Sequence, residues 1–279
     1  MDREEYIEQA YFFRVFRERI AANIPSQDIL DRLHEEILTT TRLPMAVQFL
    51  ATELKHSGLL ATGMTRLSHY FSPFQAFVVN QAEQDKLRFT IPTALLLLER
   101  EAMYKSSEWT PAGLFVYQFE SISRNRLGYD AGLKAMAEDP LFDAAWRDYL
   151  RLVRKQVGAI DFADLVYLRS ELYAVEHRRI NPDYESPVPV LYGEKEGKIA
   201  KASRGHDPLF LFGALQRQLN YPEVPRPRNR DDLAYRFDAL VQQFKELETR
   251  VRLVEAEARG HVDLSQFGKP EWIDTDEKH

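Results

Sequence analysis

The sequence predicts an all-α protein: an array of antiparallel helix pairs, one small β-hairpin and a C-terminal coiled-coil helix. Apolar residues recur at helical spacing through most of residues 1–180, and turn residues followed by proline repeatedly divide them. A heptad pattern follows near the C-terminus. A bundle and a repeat-like solenoid both remain open, because each joins helices by short connections.

The predicted helical domain spans residues 1–180. Its helices begin at a capping side chain or at a proline suited to the first turn, and the apolar residues that follow share one face. Predicted helices lie near 3–23, 26–37, 44–58, 64–71, 73–84, 92–105, 112–124, 140–160 and 161–179.

Residues 181–222 are predicted to form a proline-rich segment, since Pro187 and Pro189 interrupt regular helix. Two short strand-like stretches of sequence flank a turn that contains Gly193 and Gly197. This pattern predicts a β-hairpin over about 188–202. The hairpin is the only sheet that we expect in the protein.

The last boundaries follow from changes in composition. Asp207 and Pro208 predict a helix over 207–220, because an aspartate followed by proline is a common helix start. Further prolines predict a stiff linker at 223–230, and a polar tail is expected at 260–279.

The strongest pattern covers residues 231–259, where apolar residues alternate at spacings of four and three. This spacing keeps one apolar seam along a helix and is typical of a coiled coil. In a parallel dimer, Arg250 would lie near Glu255 of the partner and Gln243 near Glu248. We expect a homodimer through this helix, and folding back onto the protein's own body remains an alternative. The seam residues are Leu233, Phe237, Leu240, Phe244, Leu247, Val251, Val254 and Ala258.

Composition narrows the possible functions. The formal net charge is −6, which makes a nucleic-acid partner improbable, and the absence of cysteine excludes disulfides, thiol nucleophiles and zinc–thiolate sites. The N-terminus lacks the pattern of a signal peptide, and no apolar run is long enough to span a membrane. We therefore expect a cytoplasmic protein without a membrane partner.

One low-ranking hypothesis is a metal site. Glu53 and His56 stand three residues apart, as do Asp31 and His34, which places each pair on one helix face. Di-iron helical bundles use such spacings together with further glutamates. The same spacing arises by chance in a helical protein that is rich in acids, so a solvated pair is the simpler interpretation.

A second hypothesis is an anion-binding surface in the region from 188 to 230, where eight Lys and Arg face four acids. Such a surface could hold phosphates or an acidic partner. The alternative, which we favour, is that these cations pair with the protein's own acids. The candidate residues are Lys198, Lys201, Arg204, His206, Arg226 and Arg228.

No phosphate-binding loop, dinucleotide-binding fingerprint or serine-nucleophile motif occurs in the sequence, and we expect no cofactor. The sequence therefore favours a non-enzymatic scaffold or adaptor that acts through protein–protein contacts with itself and with another, unidentified protein. A helical-bundle metalloenzyme and an anion-binding protein are the alternatives.

Overall fold

A computed structural model describes residues 1–37, 41–84 and 89–226, together with the single residues Val241, Phe244, Leu247 and Val251. The chain divides into two compact units, Met1–Pro227 and Arg228–His279. The predicted all-α class is confirmed for the described residues, which contain no strand and only two isolated bridges. None of their helices is long and apolar enough to cross a membrane.

The first unit is built from helices joined by short connections. Within the described residues these are α1 (Arg3–Ala21), α2 (Ser26–Glu36), α3 (Leu43–Ser57), α4 (Leu60–Arg66), α5 (Pro73–Glu83), α6 (Ile91–Lys105), α7 (Pro111–Asn125), α8 (Tyr129–Ala137), α9 (Ala144–Gln156), α10 (Phe162–Tyr167), α11 (Glu171–Ile180), α12 (Glu194–Ala202) and α13 (Pro208–Leu219).

Capping side chains define several of the predicted helix starts. The Ser72 hydroxyl accepts a hydrogen bond from the backbone N–H of Gln75. In turn, the backbone N–H of Ser72 donates to the side-chain oxygen of Gln75, which completes a capping box, and Pro73 occupies the first turn. At α7, the Thr110 hydroxyl accepts from the Gly113 N–H. The helix start predicted at Pro73 is thereby confirmed as that of α5. The start predicted at 112 is confirmed to within one residue, because α7 begins at Pro111.

The segment from 126 to 143 differs from the prediction. Residues Tyr129–Ala137 form α8, a short helix that the sequence pattern did not indicate, and Pro140 lies in the turn after it. Helix α9 begins later, because the side chain of Asp143 accepts a hydrogen bond from the Trp146 N–H and thus caps the helix.

The predicted β-hairpin at 188–202 is wrong, because residues Glu194–Ala202 form helix α12. Gly193 is the N-cap of this helix and not part of a hairpin turn. Gly197 serves close packing: a Cβ atom there would lie 2.7 Å from the Cβ of Ser170 and 2.8 Å from that of Leu172. The only ladder-like contact nearby is an isolated bridge between Ser170 and Tyr192.

A single hydrophobic core runs through the first unit. Its main packing contacts join α1 to α6, α2 to α3, α4 to α5 and α8 to α9. Residues 181–222, expected to form a separate segment, belong to the same unit, since α12 packs on α10 and α13 on α7. The core therefore extends from the first helix to the region just before Pro227.

Candidate functional site

Part of the predicted coiled-coil seam can be located in the structure. Phe244, Leu247 and Val251 are helical, and 72%, 60% and 50% of their respective surfaces are exposed. Their spacing of three and four residues places them on one helix face. At these three residues the face is apolar and exposed. The other predicted seam residues lie outside the described part of the chain.

Three cations of the predicted basic region are paired with nearby acids. Lys198 Nζ lies 2.6 Å from Glu194 Oε1, Lys201 Nζ 2.9 Å from Glu176 Oε1, and Arg204 Nε 2.5 Å from Asp164 Oδ1. These are three of the six cations proposed for anion binding. Their guanidinium and ammonium groups have carboxylate partners within the chain, as the alternative interpretation expected.

Helices α10, α11 and α12 hold two of these cations against one aromatic ring. The guanidinium carbon of Arg204 lies 4.2 Å from the ring centroid of Tyr167, and Lys201 Nζ lies 5.7 Å from it. The Tyr167 hydroxyl donates a 2.6 Å hydrogen bond to Glu176 Oε2. Burial and this neighbouring carboxylate raise the pKa of Tyr167 to about 12. The cluster is held together by its own internal contacts.

The electrostatics of Glu176 follow from the same contacts. The hydrogen bonds donated by the Tyr167 hydroxyl and by Lys201 lower the pKa of its carboxyl group. Similarly, the hydrogen bond from Lys198 lowers the pKa of Glu194. Both carboxylates are therefore stabilised in the charged form that pairs with the cations.

The remaining candidates of the basic region behave differently. His206 and Arg226 are exposed, and Arg228 lies outside the described residues. Arg226 has no ion pair in the part of the chain that the structure describes. It ends a segment, Tyr221–Arg226, that we call the strap.

The strap is anchored on α6, α7 and α13. The Tyr221 hydroxyl lies 2.7 Å from Glu120 Oε2, to which it donates, and 3.0 Å from the carbonyl oxygen of Phe212. Asn125 Nδ2 donates to the carbonyl oxygen of Pro225 at 3.1 Å. Tyr221, Val224 and Pro225 are buried, and burial raises the pKa of the Tyr221 hydroxyl. The predicted linker therefore begins as part of the packed unit.

The structure also locates the candidate metal ligands. Glu53 Oε1 lies 2.6 Å from a guanidinium nitrogen of Arg66, and Asp31 Oδ2 lies 2.9 Å from Lys55 Nζ. His56 is exposed, whereas the buried Nδ1 of His34 has no hydrogen-bond partner. Among the described residues, no three His, Asp or Glu side chains are arranged to hold a metal ion. This geometry gives the metal hypothesis no support.

Sequence reasoning missed a polar network inside the core. Glu101 Oε1 accepts a 2.6 Å hydrogen bond from Gln118 Nε2 and lies 3.2 Å from Lys105 Nζ, while Glu101 Oε2 accepts from Gln75 Nε2 at 3.2 Å. Lys105 Nζ is also 3.9 Å from Asp139 Oδ2. Burial would lower the pKa of Lys105, but the two carboxylates outweigh it and raise that pKa.

The signal for this network was weak but present in the sequence. Glu101 and Lys105 are four residues apart and continue the apolar stripe of α6, which contains Leu97 and Leu98. Charged residues on an apolar face indicate a buried ion pair or a functional group. All side chains of this network are buried, so we assign it to the packing of α5, α6 and α7 with the turn that follows α8.

No family model, curated protein or solved structure matches the chain. Of the predicted surfaces, the apolar seam is exposed at its three described residues, and three of the six basic candidates are paired with acids.

Proposed function

We propose that the protein is a non-enzymatic scaffold or adaptor that self-associates through the helix at 231–259 and contacts another protein with its helical unit. The observation that carries the proposal is the exposure of Phe244, Leu247 and Val251 on one face of a helix. Together with the heptad spacing, this favours a second copy of the same helix as the occupant.

The magnitude of the hydrophobic effect supports this choice. Burial of a Phe, Leu or Val side chain contributes about 1.5–3 kcal/mol. Three such residues on each chain therefore make a large favourable contribution to the free energy of association, which opposes the loss of translational and rotational freedom. Ion pairs such as Arg250 with Glu255 contribute only about 0–1 kcal/mol each when exposed. The apolar seam, and not the flanking charges, would therefore determine the affinity.

The alternatives receive less support. A metalloenzyme at Glu53 and His56 would need further ligands, and the carboxylate of Glu53 is paired with Arg66. An anion-binding surface at Lys198, Lys201 and Arg204 would have to displace three carboxylates.

The test is the molar mass of the full chain in solution, measured by light scattering over a range of concentrations. We expect twice the 32.6 kDa of one chain, and we expect the single-chain mass for Leu247→Glu, because a charge in the seam is costly to bury. The matched control is Leu253→Glu, which introduces the same charge at a heptad position that faces away from the seam.

Two outcomes would contradict the proposal. A wild-type chain with single-chain mass at all concentrations would mean that the seam is covered within its own chain. Equal loss of association in both variants would mean that the added charge, and not the seam position, is responsible.

A further inference from the structure

Two exposed arginines, Arg126 and Arg226, stand on the two chain segments that meet where the strap contacts the end of α7. Asn125 is the last residue of α7 and donates the hydrogen bond to the carbonyl oxygen of Pro225 described above. Arg126 directly follows Asn125, and Arg226 directly follows Pro225. This one buried hydrogen bond therefore joins the two backbone segments that carry the arginines at the surface of the first unit.

Neither arginine is neutralised by an acid among the described residues. Both are exposed, and neither forms an ion pair within the described residues, in contrast to the neighbouring Arg124, which pairs with Glu120. Beside them, a guanidinium nitrogen of Arg100 donates to the backbone carbonyl oxygen of Glu223 at 2.5 Å. The nearest acid along the strap is Glu223, whose side chain is exposed.

The backbone of Arg126 adopts a conformation that residues other than glycine and asparagine take less often. Arg126 is the C-cap of α7 with φ 54° and ψ 42°, which is the left-handed region. Glycine is the usual residue at such a cap, because a side chain there is strained. The other non-glycine residues with positive φ in the described part of the chain are Asn23 and Asn220, and asparagine tolerates this conformation. Strained positions of this kind concentrate at functional sites.

We propose that Arg126 and Arg226 form a docking site for a short acidic segment of a partner protein, whose carboxylates would pair with the two guanidinium groups. Guanidinium groups form paired hydrogen bonds with carboxylates in a fixed geometry. A short acidic segment fits a compact pair of charges. A long polyanion such as nucleic acid would also meet the acidic remainder of a chain with net charge −6. The inference names the partner chemistry of the proposed adaptor and thus rests on that function.

The experiment measures binding of a fluorescently labelled hexaglutamate peptide to the full chain by anisotropy at low ionic strength. We expect binding tighter than about 1 mM that weakens as salt is added. The variant Arg126→Gly with Arg226→Gln should bind about tenfold more weakly, since it removes two charge-assisted contacts. Glycine suits the left-handed cap, so loss of folding cannot explain this loss of binding.

The matched control is Lys198→Gln with Arg204→Gln, which removes the same amount of charge from cations that are already paired. This control should bind the peptide as the wild type does. Equal weakening in both double variants would overturn the site, because net charge alone would then explain the binding. Absence of peptide binding, or binding of a single-stranded oligonucleotide in its place, would overturn the acidic-peptide partner.

Peptide binding and self-association are separable in the same samples. The Leu247→Glu chain should bind hexaglutamate as the wild type does, whatever its molar mass. If the wild-type chain is a single-chain particle that still binds the peptide through Arg126 and Arg226, the docking site stands and the self-association proposal fails.

Discussion

Lys105 Nζ lies 3.2 Å from Oε1 of Glu101, and both side chains are almost fully excluded from solvent. Asp139 Oδ2, 3.9 Å from the same ammonium group, has no hydrogen-bond partner in the described part of the chain. Two buried carboxylates therefore share one buried cation. The cation is the group that this part of the core can least easily lose.

We expect Lys105→Met to lower the free energy of unfolding by about 3–5 kcal/mol, because it leaves two buried carboxylates without a counter-charge. Glu101→Gln should cost less, about 1–3 kcal/mol, since Lys105 keeps Asp139 and the new amide oxygen keeps one of the two acceptor positions, so that one donor loses its partner. Urea unfolding monitored by circular dichroism measures both. If Glu101→Gln lowered the free energy of unfolding more than Lys105→Met, the cluster would hold no excess of negative charge.

The lowered pKa of Glu176 predicts a pH dependence. A carboxyl group whose pKa is lower in the folded than in the unfolded state stabilises the fold above its unfolded pKa, here about 4.5, and loses that contribution as the pH falls. The wild type should therefore be more stable than Glu176→Gln at about pH 6, and this difference should shrink towards about pH 3. A difference that grows on acidification would have the wrong sign for this carboxylate.

Gly197 in α12 and Gly213 in α13 give a paired test of how tightly the two helices are packed at these positions. Alanine normally stabilises a helix by about 0.5–1 kcal/mol relative to glycine. At Gly213 the nearest side-chain atom to a new Cβ would be 3.9 Å away, so Gly213→Ala should raise the midpoint of thermal unfolding. At Gly197 the Cβ would meet Ser170 and Leu172 at 2.7 and 2.8 Å, so Gly197→Ala should cost about 1–3 kcal/mol. A stabilising Gly197→Ala would contradict the packing of α12 on this part of the chain.

The anchor of the strap predicts a further difference. Tyr221→Phe removes the hydroxyl that donates to the buried Glu120, and an unsatisfied buried partner costs about 1–3 kcal/mol. Tyr129→Phe is the matched control, because its hydroxyl bonds Ser123 at the surface. Chemical unfolding should show a clear loss for the first variant and almost none for the second. Equal effects would mean that burial of the strap, and not its hydrogen bonds, secures it.

The all-α class and many helix starts could be predicted from the sequence because local chemistry determines them. Ser72 with Pro73, and Thr110 with Pro111, carry capping and proline signals within a few residues. The prediction of a hairpin in place of α12 was wrong because glycine occurs both in turns and where two segments pack closely. At Gly197 it permits close approach to Ser170, a contact that depends on the tertiary fold and leaves no local signal.

The charged sites show a similar limit. Lys201 pairs with Glu176 and Arg204 with Asp164 across 25 and 40 positions of sequence, so the sequence favoured pairing with the protein's own acids but could not show which acids these are. Conversely, no sequence pattern relates Arg126 to Arg226. The segments that carry them are joined by a hydrogen bond between Asn125 and Pro225, residues 100 positions apart.

The anchored strap has a consequence for avidity. Only residues 227–230 lie between it and the helix predicted at 231–259, and four residues reach at most about 14 Å when fully extended. In a dimer joined through that helix, two copies of the first unit would be tethered close together and would not be free to spread along a long flexible chain. A partner with two closely spaced acidic segments would then gain a high effective concentration for its second contact, whereas one with widely separated segments would gain little.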